Sequence, residues 1–440
     1  MPKIRLNTKH IACVLLALTL FAQTVINSNI LGIIIIVLSL SLVNDMSLLF
    51  PGLFISSILN ENCFVISTIT ASRYLTILII IISIIRYFHR TNKRDVFYLL
   101  CYLTVFAFYI VISSLITNGF NANVITMILN ILLVYAFAIQ APDDSKEEFV
   151  IRTTYFVCFV LIIYYLLIYL LGGAVFNTYG SVDFISGTNK NYIGMGLAQA
   201  GAFIFSFLIV TKTSKIQEAI NLVVMVIVAL LLVLTGAKSA LIGLLACITV
   251  GIIFLVFKRD FKLSRAIALV VVICFGAYIA DTIIQSIPSL AYRYSVNTIV
   301  QSGGTGRLSI WEIVWKDAFL KHPIFGVGFG EQNIVEILAA YGDRHSGTHN
   351  LYLDILGTTG LFGFIYLFSG LIYKIRESIK LDISYGYSIT PLLLIVCFLG
   401  NGIGENIWTE RFAWVAVAML VWMVSKQKYR RDRTLMRSEK

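Results

Sequence analysis

The chain has 440 residues, of which 58% are hydrophobic and 13% charged. Soluble domains run at roughly 45–50% apolar and about 25% charged, so this composition excludes a soluble globular protein and predicts an all-α polytopic membrane protein. The net charge of +11 sits in short basic clusters between apolar runs, which excludes nucleic acid as a partner and points to orientation signals and anionic lipid.

A bilayer-spanning helix needs about 20 apolar residues, with about 17 tolerated. Candidate spans fall near 11–27, 30–44, 46–60, 73–89, 96–116, 122–141, 150–171, 192–211, 218–236, 239–257, 266–286, 350–373, 388–402 and 410–425. The second, third and thirteenth are short, and the third contains Pro51-Gly52 and could re-enter, so twelve to fourteen spans are expected. The start of the chain (Lys3, Arg5, Lys9, then an apolar run) resembles a signal peptide without an A-x-A site, and further spans follow at once; a retained first helix is expected.

Cytoplasmic loops should hold the excess Lys and Arg. With fourteen spans, the N-terminus, 86–94, 212–215, 258–265, 374–380 and the tail 426–440 share one side, which places both termini in the cytoplasm. The same alternation puts 172–191, 286–350 and 402–410 outside. The expected organisation is one transmembrane domain over 1–440 with an inserted extracytoplasmic loop at 286–350 carrying the site.

The seven cysteines (Cys13, Cys63, Cys101, Cys158, Cys247, Cys274, Cys397) are scattered in apolar runs without CxxC spacing and read as small core residues, not metal ligands. The acidic pairs Asp143-Asp144 and Glu147-Glu148 fall on a cytoplasmic loop and read as a solvated connector. Within 286–350, a helix is expected from Arg307 to His322-Pro323, its apolar face being Leu308, Trp311, Val314, Trp315, Ala318 and Phe319. Such a helix lies at the membrane interface or roofs the bundle. The run Gly326-Val327-Gly328-Phe329-Gly330 reads as a tight turn near a ligand, since no strand precedes it. His349 stands at the lip of a span, where an imidazole suits either a proton acceptor or a structural hydrogen bond.

Arg73, Lys190, Lys238, Arg293, Arg307, Arg344 and Arg411 fall on the outer side, against the positive-inside bias. Lys238 lies nearest the hydrocarbon, where a charge costs about 2.5–3.5 kcal/mol at mid-depth. A diphosphate would offset that cost, as would snorkelling to headgroups.

Three blocks resemble the O-antigen ligase and O-antigen polymerase family of bacterial envelope glycosyltransferases: 234–239, with Lys238; 305–330, from Gly306-Arg307-Leu308-Ser309-Ile310-Trp311 to Gly330; and 349–363, with His349-Asn350-Leu351-Tyr352-Leu353, Gly360 and Gly363. They span about the last half of the chain. The resemblance implies transfer of glycan from undecaprenyl diphosphate to a hydroxyl acceptor on the outer face of the bacterial inner (plasma) membrane, with no metal or cofactor. Carried over by position, Lys238 and Arg307 bind the diphosphate and His349 is the catalytic base. Arg293, Arg344, His345, Asn350 and Arg411 are further candidates for substrate binding. Two features depart from the family: Lys238 replaces an arginine and so lacks its bidentate fork, and the glutamate usual near Thr358 is missing. The isoleucine-rich spans and weakly matching first half favour a polymerase of lipid-linked repeat units, with flippase and chain-length regulator proteins as partners. The alternatives are a ligase delivering finished glycan to an acceptor such as lipid A-core, or a transporter of the same lipid, for which ionisable groups at mid-membrane are few.

Overall fold

The computed structural model describes residues 7–59, 63–66, 69–87, 93–117, 122–140, 144–176, 181–184, 189–210, 214–257, 263–301, 306–342, 347–380 and 389–438. Its helices, in chain order, begin with α1 (Thr8–Ile26), α2 (Asn29–Ser41), α3 (Phe50–Ile58), α4 (Ala71–Tyr87), α5 (Lys93–Thr117), α6 (Ala122–Ile139) and α7 (Asp144–Leu170). They continue with α8 (Lys190–Val210), α9 (Lys215–Thr235), α10 (Lys238–Phe257), α11 (Leu263–Ser286), α12 (Pro288–Tyr294) and α13 (Val296–Gln301). The last five are α14 (Arg307–Ile313), α15 (Glu331–Ala340), α16 (Leu351–Lys380), α17 (Ile389–Asn401) and α18 (Arg411–Ser438). Among the described residues, sheet is confined to two short antiparallel pairs, Phe64–Ile66 with Ile69–Thr70 and Val175–Phe176 with Val182–Asp183. The protein is therefore an all-α polytopic membrane protein.

Helices α1 to α11 and α16 to α18 occupy the candidate spans in order. Eight helices among the described residues are long and apolar enough to cross a bilayer by length and composition: α1, α5 from Phe97, α6, α7 from Glu147, α8, α9, α10 and α16. The segment near 46–60 forms a 3₁₀ turn at Met46–Leu49 running into α3, with Pro51 in its first turn, where a missing N–H costs nothing. Its residues from Phe50 to Ser57 are all buried, so this short helix is part of the protein core and not a lipid-facing span.

The centre of the bundle is α8, packed on α9, α10 and α17, with α10 lying along α17. Almost all of α8 is buried, and its Gly194, Gly196 and Gly201 sit where a Cβ would meet Ala237, Ile58 and Val228 at 2.5, 2.4 and 2.8 Å. Lipid tails are as apolar as leucine, so helices in a membrane gain from close backbone approach at small residues. Another such approach joins α10 to α17, where a Cβ on Gly400 would stand 2.7 Å from the Cα of Gly243. That crossing fixes where α17 ends, and so delivers the following loop, 402–410, to the start of α10.

Helix α16 is broken at Gly360 (φ 62°, ψ −168°). The glycine-rich run docks into this break. Val327 and Gly328 donate to the carbonyls of Gly357 and Thr358 (2.8 and 3.1 Å), while Leu361 and Phe362 donate to those of Pro323 and Ile324 (2.9 and 3.0 Å). The Tyr109 hydroxyl donates to the carbonyl of Thr359 at 2.7 Å. The backbone groups freed by the break are thus paired within the protein, as hydrocarbon demands. Gly326 needs its positive φ of 68°, and a Cβ there would lie 2.5 Å from the Thr358–Thr359 backbone.

The segment after Arg307 is helical, but it widens into a π-helix at Val314–Phe319. The widening turns its face: Ile310, Val314 and Ala318 are buried with Ile334 and Leu338 of α15, whereas Leu308 and Trp315 are exposed. The apolar face expected from an uninterrupted α-helical period is corrected accordingly. The resulting cap packs through Val314 and Ile334 over Gly357 of α16.

At the other end of the bundle the expectation of a solvated acidic connector is corrected at Glu147, while Asp143 lies outside the described residues. Glu147, at the start of α7, is ion-paired with the fully buried Lys426 of α18, and Glu148 pairs with Arg152 at 2.8 Å. Glu377 of α16 is held by Lys374 (2.8 Å) and by Lys428. A buried ammonium requires such a partner.

Candidate functional site

The loop 402–410, between α17 and α18, runs beside the non-helical lead into α16. Leu351 donates its N–H to the Gly402 carbonyl at 2.7 Å, and the Asn350 Nδ2 donates to the Ile403 carbonyl at 3.2 Å. Asn350 also caps α16, its Oδ1 accepting from the N–H groups of Tyr352 and Leu353, both at 3.0 Å. One residue earlier, His349 adopts φ 48°, a left-handed conformation that histidine tolerates better than most residues. Its neighbour Thr348 is fully buried; the Trp311 indole donates to its carbonyl at 3.0 Å, and its hydroxyl lies 3.3 Å from Asp354. Asp354 in turn accepts from the Trp408 indole at 2.6 Å. The backbone carrying His349 is therefore clamped from α14, α16 and the 402–410 loop together.

Glu405 is the centre of the site. Its Oε1 accepts from Arg307 Nη2 at 2.8 Å and from Asn191 Nδ2 at 2.7 Å, and its Oε2 lies 3.1 Å from His349 Nδ1. Arg307 also donates from Nη1 to the Gly404 carbonyl at 2.6 Å. One carboxylate, only 7% exposed, thus joins the guanidinium of α14 to the imidazole before α16. With Nδ1–H donated to Glu405, the lone pair of a neutral ring resides on Nε2.

Lys238 begins α10 beside this cluster. A Cβ on Gly404 would stand 2.9 Å from both Arg307 Nη1 and the Cβ of Ser239, the residue after Lys238. The Lys238 ammonium lies 5.9 Å from the centre of the Tyr294 ring, in cation–π range. Lys316 and Lys321, in contrast, are exposed and paired with Glu312 and Asp317, each at 2.6 Å.

The remaining sequence candidates are distributed as follows. Arg293 lies on α12, Arg411 starts α18 and is buried at 3% exposure, and Arg344 and His345 fall outside the described residues. Glu405 had drawn no attention in the sequence, where it lies 56 residues from His349 in a short loop; the absence of the usual acid near Thr358 was the one signal that a carboxylate had to come from elsewhere.

Chemically, the cluster offers a cation pair for an anionic group, an oriented imidazole for a proton, and a carboxylate to stabilise the imidazolium that results. No curated protein matches the chain. Residues 223–368 match the family model described as O-antigen ligase, and that segment holds Lys238, Arg307 and His349. Over that third of the chain the protein is similar to the O-antigen ligase family.

Proposed function

We propose that the protein is a polysaccharide polymerase, joining undecaprenyl-diphosphate-linked oligosaccharide repeat units of an O-antigen, capsule or exopolysaccharide. The observation that carries this reading is the Glu405 carboxylate bound at once to Arg307 and His349. In the reaction an acceptor sugar hydroxyl attacks the anomeric carbon of the donor glycan. The bond from that carbon to the diphosphate oxygen breaks, the lipid diphosphate leaves as an anion, and the hydroxyl proton passes to His349 Nε2. Lys238 and Arg307 stabilise the departing charge, so the leaving group needs neither protonation nor a metal ion. Glu405 keeps the imidazole in the tautomer that can accept the proton and then balances the imidazolium.

A lipid-linked donor is supported by a cavity of about 530 Å³ between α5, α16, α17 and α18. Its wall is apolar, with Phe106, Ile355, Phe398 and Trp414, and it reaches Leu351 and Trp408 next to the cluster. The family match begins only at residue 223, and a first half that departs from the family is what the resemblance leads one to expect of polymerases, which vary with the sugar they join. A strain lacking the protein should keep acceptor carrying a single repeat unit and lose the longer polymer. Accumulation of unattached polymer would make the protein a ligase instead, and an unchanged glycan length profile would exclude both.

The same reading places the cluster, with the 286–350 loop, on the outer face and both termini in the cytoplasm. Arg86, Lys215, Lys374, Arg376, Lys426 and Lys428 support it, since all lie at the helix ends opposite the cluster. A cysteine at Gln301 should react with an impermeant maleimide in whole cells. Protection there until the cells are lysed would reverse the orientation.

A further inference from the structure

Asp354 is a carboxylate only 2% exposed, in the first turn of a helix long and apolar enough to cross the bilayer, and the transfer chemistry does not use it. A charge kept out of water is costly unless hydrogen bonds accompany it, and an ionisable residue in a spanning helix marks function by default. Helical side chains lean toward the N-terminus, so a first-turn residue hangs over the chain that enters its helix. The start of α16 also favours a negative charge there. Asp354 Oδ2 accepts from the Trp408 indole at 2.6 Å, and Oδ1 lies 3.3 Å from the Thr348 hydroxyl, which also reaches the Asn350 carbonyl at 3.0 Å.

These two partners are not arbitrary. Thr348 is the residue before His349, and Trp408 follows Glu405 on the 402–410 loop. His349 Nδ1 and Glu405 Oε2 meet at 3.1 Å although neither residue lies in a helix, so their separation depends on whatever holds the two stretches of chain together. Gly402 and Ile403 tie the loop to the start of α16 on one side of Glu405. The Asp354–Trp408 bond ties it again on the other side. Trp408 is itself fixed, because Phe329 packs edge-on against its ring at 5.1 Å between centres and the Trp414 indole donates to its carbonyl at 2.5 Å.

We infer that Asp354 is a positioning residue for transfer, setting the geometry between His349 and Glu405 by holding Thr348 and Trp408 to one turn of α16. The inference rests on the reading that His349 is the base oriented by Glu405.

The test compares transfer rates per folded molecule in purified protein. Asp354→Leu removes both ties at similar volume, so kcat should fall by about 10²-fold, the cost of a misplacement of about 1 Å, while KM for the lipid-linked donor changes little. Trp408→Phe cuts the loop tie alone and keeps a ring against Phe329; it should show a smaller loss of the same kind, and it keeps the test valid should Asp354→Leu not fold. Asp354→Asn should retain most of the rate. The indole can only donate, so the amide oxygen takes the place of Oδ2, and the NH₂ group donates to the Thr348 hydroxyl, whose own proton then goes to the Asn350 carbonyl. A merely structural role would not produce the last expected result: in His349→Asn, adding Asp354→Leu or Trp408→Phe should lower transfer no further, because both act through the imidazole. Wild-type transfer by His349→Asn overturns the reading of the base and this inference with it. With His349→Asn impaired, a wild-type kcat in either folded variant, a loss carried by KM, or a loss that adds in full to that of His349→Asn overturns the inference alone.

Discussion

Removing the His349 imidazole should lower glycan transfer by about 10²–10⁴-fold, the usual worth of a positioned general base. Alanine is an imperfect test, because φ is 48° there and a left-handed backbone costs a non-glycine residue about 1–2 kcal/mol. Asparagine tolerates that conformation and carries no base, so His349→Asn separates chemistry from backbone strain. Single-turnover assays with lipid-linked repeat units in purified protein should show the loss with Tm close to wild type. The exposed Lys316, paired only with Glu312, provides the control, and Lys316→Ala should transfer normally. Wild-type turnover by His349→Asn, together with loss in His345→Ala, would reassign the base to His345.

The second large effect is expected at Glu405, and the two obvious substitutions should differ. In Glu405→Ala the half-buried Arg307 loses its partner, which should destabilise the protein by about 1–3 kcal/mol as well as impair transfer. In Glu405→Gln the surrounding donors dictate how the amide must lie. Arg307 and Asn191 both donate to the Oε1 position, so the amide oxygen must occupy it, and the NH₂ group then faces His349 Nδ1. A donor at that place forces Nδ1 to accept, puts the ring proton on Nε2 and removes the base. Glu405→Gln should therefore fold with near-native stability yet lose transfer by about 10²–10⁴-fold. It should add little further loss to His349→Asn, because the two residues act through one proton. Full additivity in that cycle, or near-normal transfer by Glu405→Gln, would remove Glu405 from the mechanism.

Much of this protein could be read from local pattern. Runs of apolar residues are a property of each segment alone, so α1 to α11 and α16 to α18 lie where hydropathy places them, and even the short α2, α3 and α17 keep their positions. The residues near His349 and Arg307 stood out because charged and titratable groups are rare in such a chain. What failed locally did so for identifiable reasons. The face of the helix after Arg307 was misread because the π-helix at Val314–Phe319 changes the period, a geometric fact without a sequence signature of its own. The run from Gly326 to Gly330 meets the broken backbone of α16, and glycine marks a close backbone approach without naming the partner that is approached.

Composition and hydropathy alone determined the membrane class, the helix order and the polar segments between helices, because each depends only on whether a stretch can satisfy its own backbone in hydrocarbon. Only the tertiary structure decided which of those polar segments meet. Glu405 belongs to the site because Gly243 and Gly400 let α10 and α17 touch, carrying the 402–410 loop onto Arg307 and His349. Glu147 left the solvated connector for Lys426 because the ends of α7 and α18 come together. Such pairings join residues far apart in the chain, and their energy lies in contacts between helices that no window along a single helix contains.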